Sequence, residues 1–227
     1  MDLSSKNSVA QVALRIPAHT ATLNADLSLP ASASALVLFA HGSGSSRFSP
    51  RNRHVAGFLN DSGLATVLAD LLTPAEETVD ERTRQLRFDI ELLADRLVAV
   101  TDWLAAQPKM RRLPIGHFGA STGAGAALVA AASRPDAIHA VVSRGGRPDL
   151  AGDALGQVRA PTLLIVGGDD VPVIGMNQRA LDQLGGEKQL VIVLGATHLF
   201  EEPGTLDEVA RLARAWFKRH LRSDASG

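Results

Sequence analysis

The sequence contains no cysteine. Disulfides, thiolate metal sites and a thiol nucleophile are therefore excluded, and any nucleophilic chemistry must come from another residue. Tyrosine is absent too, and with seven Phe and two Trp the aromatics are too sparse for the stacking platform that single-stranded nucleic acid needs. Neither sign of charge is in excess. Lys plus Arg number 23 against 24 Asp plus Glu, a formal net charge of -1 that recruits neither nucleic acid nor an anionic membrane. No apolar run reaches the ~18 residues of a membrane span, and Met1 to Ser8 lacks the apolar core of a secretion signal. These absences predict a cytoplasmic protein acting on a small molecule, without nucleic-acid or membrane partners.

What is present is ordinary globular material. The 227 residues are 45% hydrophobic and 21% charged, enough for one sizeable core, and no repeat, low-complexity stretch or linker divides them. A single domain over 1–227 is the expectation. Val9 to Ile16 and Ala21 to Leu29 read as an antiparallel edge hairpin, with Leu23, Ala25, Leu27 and Leu29 on one face. Six short apolar runs follow: Ala35 to Ala40, Leu64 to Ala69, Pro114 to Phe118, Ile138 to Val142, Thr162 to Val166 and Gln189 to Leu194. Their alternation with helical patterns predicts an α/β fold, a mostly parallel sheet of about eight strands covered on both faces. Leu86, Ile90, Leu93, Leu97, Val100 and Leu104 place an apolar stripe along a long helix over Thr83 to Gln107, stopped by Pro108. Thr122 to Ser133 reads as an Ala-rich helix, and Val209, Leu212, Ala213, Trp216 and Phe217 as a closing one.

The sharpest chemical signal is Gly119-Ala120-Ser121-Thr122-Gly123, set between an apolar run and the Ala-rich helix. A bare G-x-S-x-G is equally a helix start whose serine merely caps. The strand before and the helix after shift the reading to a nucleophile elbow, which exposes its serine on a strained turn and aims a helix N-terminus at the reacting centre. His41-Gly42-Ser43-Gly44 follows the third strand, where such folds carry their other oxyanion loop; the backbone N–H groups of Ser43 and Thr122 are expected to converge on an oxyanion, and His41 is read as structural. A serine nucleophile needs a base and an orienting acid. Gly167-Gly168-Asp169-Asp170 offers two carboxylates past a strand end, with Asp170 preferred by its place in the turn, and Gly195-Ala196-Thr197-His198 offers the base. His54 and His220 read as solvated, His19 as a turn residue, and His117 and His139 as hydrogen-bonded core neighbours. No metal-ligand spacing occurs, and no cofactor is expected.

Together these four motifs make the chain similar to the α/β-hydrolase superfamily over nearly its whole length, and more narrowly to the dienelactone hydrolase family. The resemblance implies Ser121 as nucleophile, His198 as base, Asp170 as acid, the amides of Ser43 and Thr122 as oxyanion hole, and hydrolysis of an ester-like bond. One departure stands out: the namesake lactone hydrolases use a cysteine where this chain has Ser121. A serine carboxylesterase for small soluble esters or lactones is therefore the expected function. The alternatives are an acyltransferase or peptidase on the same triad, or a non-catalytic binding protein of this fold. On any of these readings the chain is expected as a monomer or homodimer. The stretch from Val142 to Pro161 is short, which predicts little or no cap over the site. Arg47, Arg51 and Arg53, with Arg144 and Arg147, lie in loops at the active edge of the sheet. Arg47, Arg51, Arg144 and Arg147 are candidate ligands for an anionic group on the substrate, with Glu76, Glu77, Asp80 and Glu81 as competing partners.

Overall fold

The computed structural model describes residues 8–222. Residues 1–7, which carry most of the N-terminal segment read above for a secretion signal, lie outside the described residues, as do 223–227. Eight strands form one sheet: β1 (Val9–Ala18), β2 (Ala21–Pro30), β3 (Ala35–Ala40), β4 (Leu64–Ala69), β5 (Ile115–Ala120), β6 (Ile138–Arg144), β7 (Thr162–Gly167) and β8 (Lys188–Val193). Their order is β1-β2-β4-β3-β5-β6-β7-β8. β1 pairs antiparallel with β2 and β2 with β4, and every other pairing is parallel. The expected hairpin is thus the edge of a mixed sheet whose centre is parallel.

The central strands are continuous apolar runs because both their faces are covered. Leu36, Leu38 and Ala40 of β3 join the core under α3 (Ile90–Ala106), α4 (Thr122–Ser133) and α5 (Val171–Gln183), while Ala35, Val37 and Phe39 join the core under α1 (Pro50–Asn60) and α6 (Thr205–His220). This period-2 division of one strand between two cores is what an alternation of side chains requires. Among the described residues no helix is long and apolar enough to cross a membrane.

One helix differs from its expected bounds. The stripe from Leu86 to Leu104 does not continue back to Thr83, because α2 (Pro74–Thr83) ends there, Arg84 turns left-handed at φ 55°, and Leu86–Phe88 forms a 3-10 turn. Asp89 then caps α3, its carboxylate accepting from the Leu92 N–H at 3.0 Å. The Asp80 carboxylate ties the break down by accepting from the backbone N–H and side chain of Arg87. Local caps thus outcompete an apolar periodicity that on its own favours one longer helix. Between β6 and β7 lie two short 3-10 turns within Pro148–Gln157, separated by a kink at Gly152 (φ 50°, ψ -133°), and they pack on α4 and α5. His139, expected in the core, faces solvent, since strand alternation turns it away from its buried neighbours Ile138 and Ala140.

Candidate active site

β5 delivers Ser121 to the C-terminal edge of the sheet, and α4 leaves directly from Thr122. Ser121 sits at φ 49°, ψ -123°, which a residue with a side chain rarely adopts and which costs about 1–3 kcal/mol. Its neighbours hold it there. The Ser121 N–H donates to the Arg144 carbonyl at 3.3 Å, and its own carbonyl accepts from the N–H groups of Ala124 and Arg147, both at 3.0 Å. The flanking glycines are steric necessities: a Cβ on Gly119 would stand 2.4 Å from Ala124 Cα, and one on Gly123 2.4 Å from the Ala40 carbonyl oxygen. Strand, helix and the end of β3 meet more closely here than side chains permit.

At the end of β7, Asp170 accepts from His198, whose Nδ1–H reaches Oδ2 at 2.6 Å. The carboxylate is mostly buried and the ring partly open, at 12% and 38% side-chain exposure. Asp169 is exposed and spends its N–H on the Ala196 carbonyl at 3.0 Å. With Nδ1 committed to Asp170, Nε2 is the free ring nitrogen, and His198 lines one cavity of about 230 Å³ together with Ser121. The turn that carries His198 crosses the end of β7 so tightly that a Cβ on Gly167 would lie 2.3 Å from the Ala196 oxygen. Two devices fix that turn. Thr197 donates through its N–H and hydroxyl to the Glu202 carboxylate at 3.1 and 2.6 Å, and Phe200, at φ 57°, buries its ring in the α1/α6 core.

His41 is buried and bridges two loops. Its Nδ1–H donates to the Gly42 carbonyl at 3.0 Å, and Nε2 accepts from the Leu71 N–H at 3.2 Å. Burial pushes its pKa down, which keeps the ring neutral and able to accept. In a trans peptide the carbonyl and the following N–H point in opposite directions, so a pinned Gly42 carbonyl aims the Ser43 N–H the other way. It donates to the Thr122 hydroxyl at 2.9 Å. The structure therefore brings Ser43 and Thr122 together, with the Ser43 amide seated on a side chain.

The four candidate arginines divide into two pairs. Arg47 is bound to Asp70 by both its backbone N–H and its guanidinium, and Arg147 grips Asp149 through Nε and Nη2 at 2.7–3.1 Å. These two are consumed by local carboxylates and do not line the Ser121 cavity, which corrects the expectation that they bind substrate. Of the four carboxylates named as competitors, two are engaged elsewhere: Glu76 holds Arg96 and Asp80 holds Arg87. Arg53, too, pairs with Asp26 at 3.0 Å. Arg51 and Arg144 do line the Ser121 cavity, and among the described residues no carboxylate lines it with them. Arg144 is 6% exposed, its closest partner is the neutral Asn52 oxygen at 3.4 Å, and its Nε is buried without an acceptor. Burial, with Arg51 adding repulsion, lowers its pKa to about 10, so it remains a cation at neutral pH. Arg51 reaches Glu201 at 3.0 Å on the exposed side, and its Nε is also buried and unpaired. A second, larger cavity of about 560 Å³ opens across the 42–49 loop, between Thr122, Leu93 and the acidic Glu77 and Glu81. Among the described residues no group of three or more His, Asp or Glu is placed to hold a metal.

No protein-family model matches the chain. Two Mycobacterium tuberculosis proteins, provisionally named phosphoribosyl transferases, are 63% identical to it over 195 residues, covering 86% of this chain and 43% of theirs. The chain thus spans less than half the length of these curated relatives. The crystal structure of a dienelactone hydrolase from Anabaena variabilis superposes with a TM-score of 0.93 at 60% identity, over 94% of this chain and 99% of that one. The chain belongs to the dienelactone hydrolase family. Its fold is that of the α/β-hydrolases, shared at 19% identity and a TM-score of 0.76 with Est1E from Butyrivibrio proteoclasticus, over 91% of this chain and 98% of that one.

Several residues that shape the site of this dienelactone hydrolase family member carried no sequence signal. Asn52 meets Arg144 from α1, and Glu202 clamps Thr197 from the far side of the His198 turn. The side-chain part of Thr122 was passed over because the elbow motif directs attention to its amide. A hydroxyl beside Ser121 and past a strand end is the one available hint.

Proposed function

We propose that this chain is a serine hydrolase that cleaves small esters or lactones bearing an anionic group close to the scissile carbonyl. The observation that carries this reading is the 2.6 Å Asp170–His198 pair sharing one cavity with a serine on a strained strand-to-helix turn. His198 Nε2 takes the proton of Ser121, the alkoxide attacks the acyl carbon, and Asp170 stabilises the imidazolium that forms. The same imidazolium returns the proton to the leaving alcohol. Water activated by His198 then releases the acid from the acyl-enzyme. The buried Arg144, which meets no carboxylate among the described residues, supports an anionic substrate, since a buried cation without a counter-charge is costly until one arrives; Arg51, paired on its outer side with Glu201, lines the same cavity. Asp70 and Asp149 have already neutralised the other two candidates.

Two measurements test the reading. Wild type should give a burst with p-nitrophenyl esters and label with a fluorophosphonate, while Ser121→Ala should lose both, with turnover falling on the order of 10⁶-fold. Labelling retained in Ser121→Ala overturns the nucleophile. For the substrate class, the ratio of kcat/KM on the p-nitrophenyl monoester of glutarate to that on neutral p-nitrophenyl butyrate should fall about tenfold or more in Arg144→Gln, the size of a lost charged hydrogen bond. It should not move in Arg147→Gln. Equal losses on both esters in Arg144→Gln remove the anionic group from the proposal.

A further inference from the structure

We infer that the side-chain hydroxyl of Thr122 is itself an oxyanion donor, standing between the Ser43 amide and the reacting carbonyl. The inference rests on the serine-hydrolase reading above and concerns the same site. It starts from a conflict: the Ser43 N–H, a backbone donor that the site needs for the oxyanion, is already spent on Thr122 Oγ1 at 2.9 Å. An N–H in a bond of that length has no second strong bond to give.

Thr122 Oγ1, having accepted this bond, still carries its own proton. The Ser43 bond is its one side-chain hydrogen bond among the described residues, and the residue is 4% exposed. Among the described residues nothing accepts that proton, and Thr122 lines the cavity of about 560 Å³ that shares Ser43 with the Ser121 cavity. The tetrahedral oxygen is the acceptor that the reaction brings. Thr122 is the first residue of α4, so its N–H is one of the orphan donors of a helix N-terminus, and its N–H and Oγ–H can chelate one oxygen. The Ser43 amide then works from behind, orienting the hydroxyl proton away from itself and polarising it. Hydrogen bonds alone change partners, and the Thr122 proton stays on its oxygen.

The competing picture makes the hydroxyl a plug that must swing aside to free the Ser43 N–H. Threonine is stiff about χ1, and swinging the hydroxyl out exchanges it for the methyl or hydrogen in a buried spot, leaving the Ser43 N–H against apolar surface until substrate arrives. The relay needs no such movement.

Thr122→Val keeps the shape and removes the hydroxyl, and Thr122→Ser keeps the hydroxyl. On a p-nitrophenyl ester, kcat of Thr122→Val should fall about 10²–10³-fold with KM within a few-fold, as for other lost oxyanion donors. Its affinity for a trifluoromethyl ketone, which forms the tetrahedral adduct, should weaken by the same factor as kcat/KM, and Thr122→Ser should recover most of both. A purely structural role would instead lower the melting temperature and raise KM without rescue by serine. Thr122→Val turning over within threefold of wild type, or faster, makes the hydroxyl a plug and overturns the inference. Ser121→Ala separates the two levels. Hydrolysis surviving in Ser121→Ala defeats the parent reading, whereas hydrolysis lost there but kept in Thr122→Val defeats this inference alone. A wild type that turns over no ester overturns both.

Discussion

Asp169 and Asp170 are neighbours in one turn with different surroundings. Asp170 is mostly buried against His198, and Asp169 is exposed. Asparagine at position 170 keeps the shape but presents an amide that stabilises the wrong tautomer of the ring, so Asp170→Asn should lower kcat about 10⁴-fold. Asp169→Asn should stay within a few-fold. Steady-state kinetics on one ester decide it, and the reverse order would reassign the acid. At this scale the sequence was legible where a candidate residue sits in a short local pattern. Ser121 between two glycines, Asp170 past a strand end and His198 past the last strand each announce themselves within a few residues. Charge pairing was not legible. Whether Arg47 or Arg144 is free depends on Asp70 at the end of β4 and Asn52 on α1, which only the folded chain brings near. The Ser43–Thr122 bond was hidden for the same reason, since it joins the loops after β3 and β5.

Among the elements, the buried parallel strands were found nearly to the residue, because a strand covered on both faces must be apolar throughout. The Ala-rich α4 was equally plain. α1, α2 and α5 were not seen: α2 buries little beyond Asp80, and α1 buries only Asn52, Val55, Ala56 and Leu59, too little for a periodic stripe to stand out. The starts of α1 and α2 are nonetheless written in caps, Ser49 before Pro50 and the Thr73/Glu76 capping box. The break between α2 and α3 yields an expectation of its own. Asp89→Ala removes the side chain that accepts from Leu92 and should cost about 1 kcal/mol, read as a lower urea midpoint at unchanged slope. A midpoint equal to wild type would mean that the stripe from Leu86 holds the start of α3 without its cap.

For the molecule as a whole, the fully buried His117 couples stability to pH. Thr101 donates its hydroxyl to the Leu97 carbonyl at 2.8 Å, so it accepts from His117 Nε2–H at 2.9 Å, and Nδ1 is left buried without a partner. Burial pushes the His117 pKa down to about 3, against 6.5 for a free histidine. Between those two values the unfolded chain holds a proton that the folded one refuses. Stability is therefore complete above pH 6.5 and declines as pH falls, by about 1.4 kcal/mol per unit from this group, with His41 acting in the same direction. His117→Gln should flatten the unfolding free energy measured between pH 4.5 and 6.5 by about one proton, and an unchanged slope would place the linked proton elsewhere. The arrangement of the sheet also has a temporal side. The elbow after β5 is synthesised first, Asp170 after β7 follows, and the His198 turn emerges only once β8 is made. A growing chain therefore carries its serine long before it owns a base. Under the function proposed here, a stalled or clipped product that stops short of Gly195 is chemically silent, and turnover reports that synthesis and folding have passed the His198 turn.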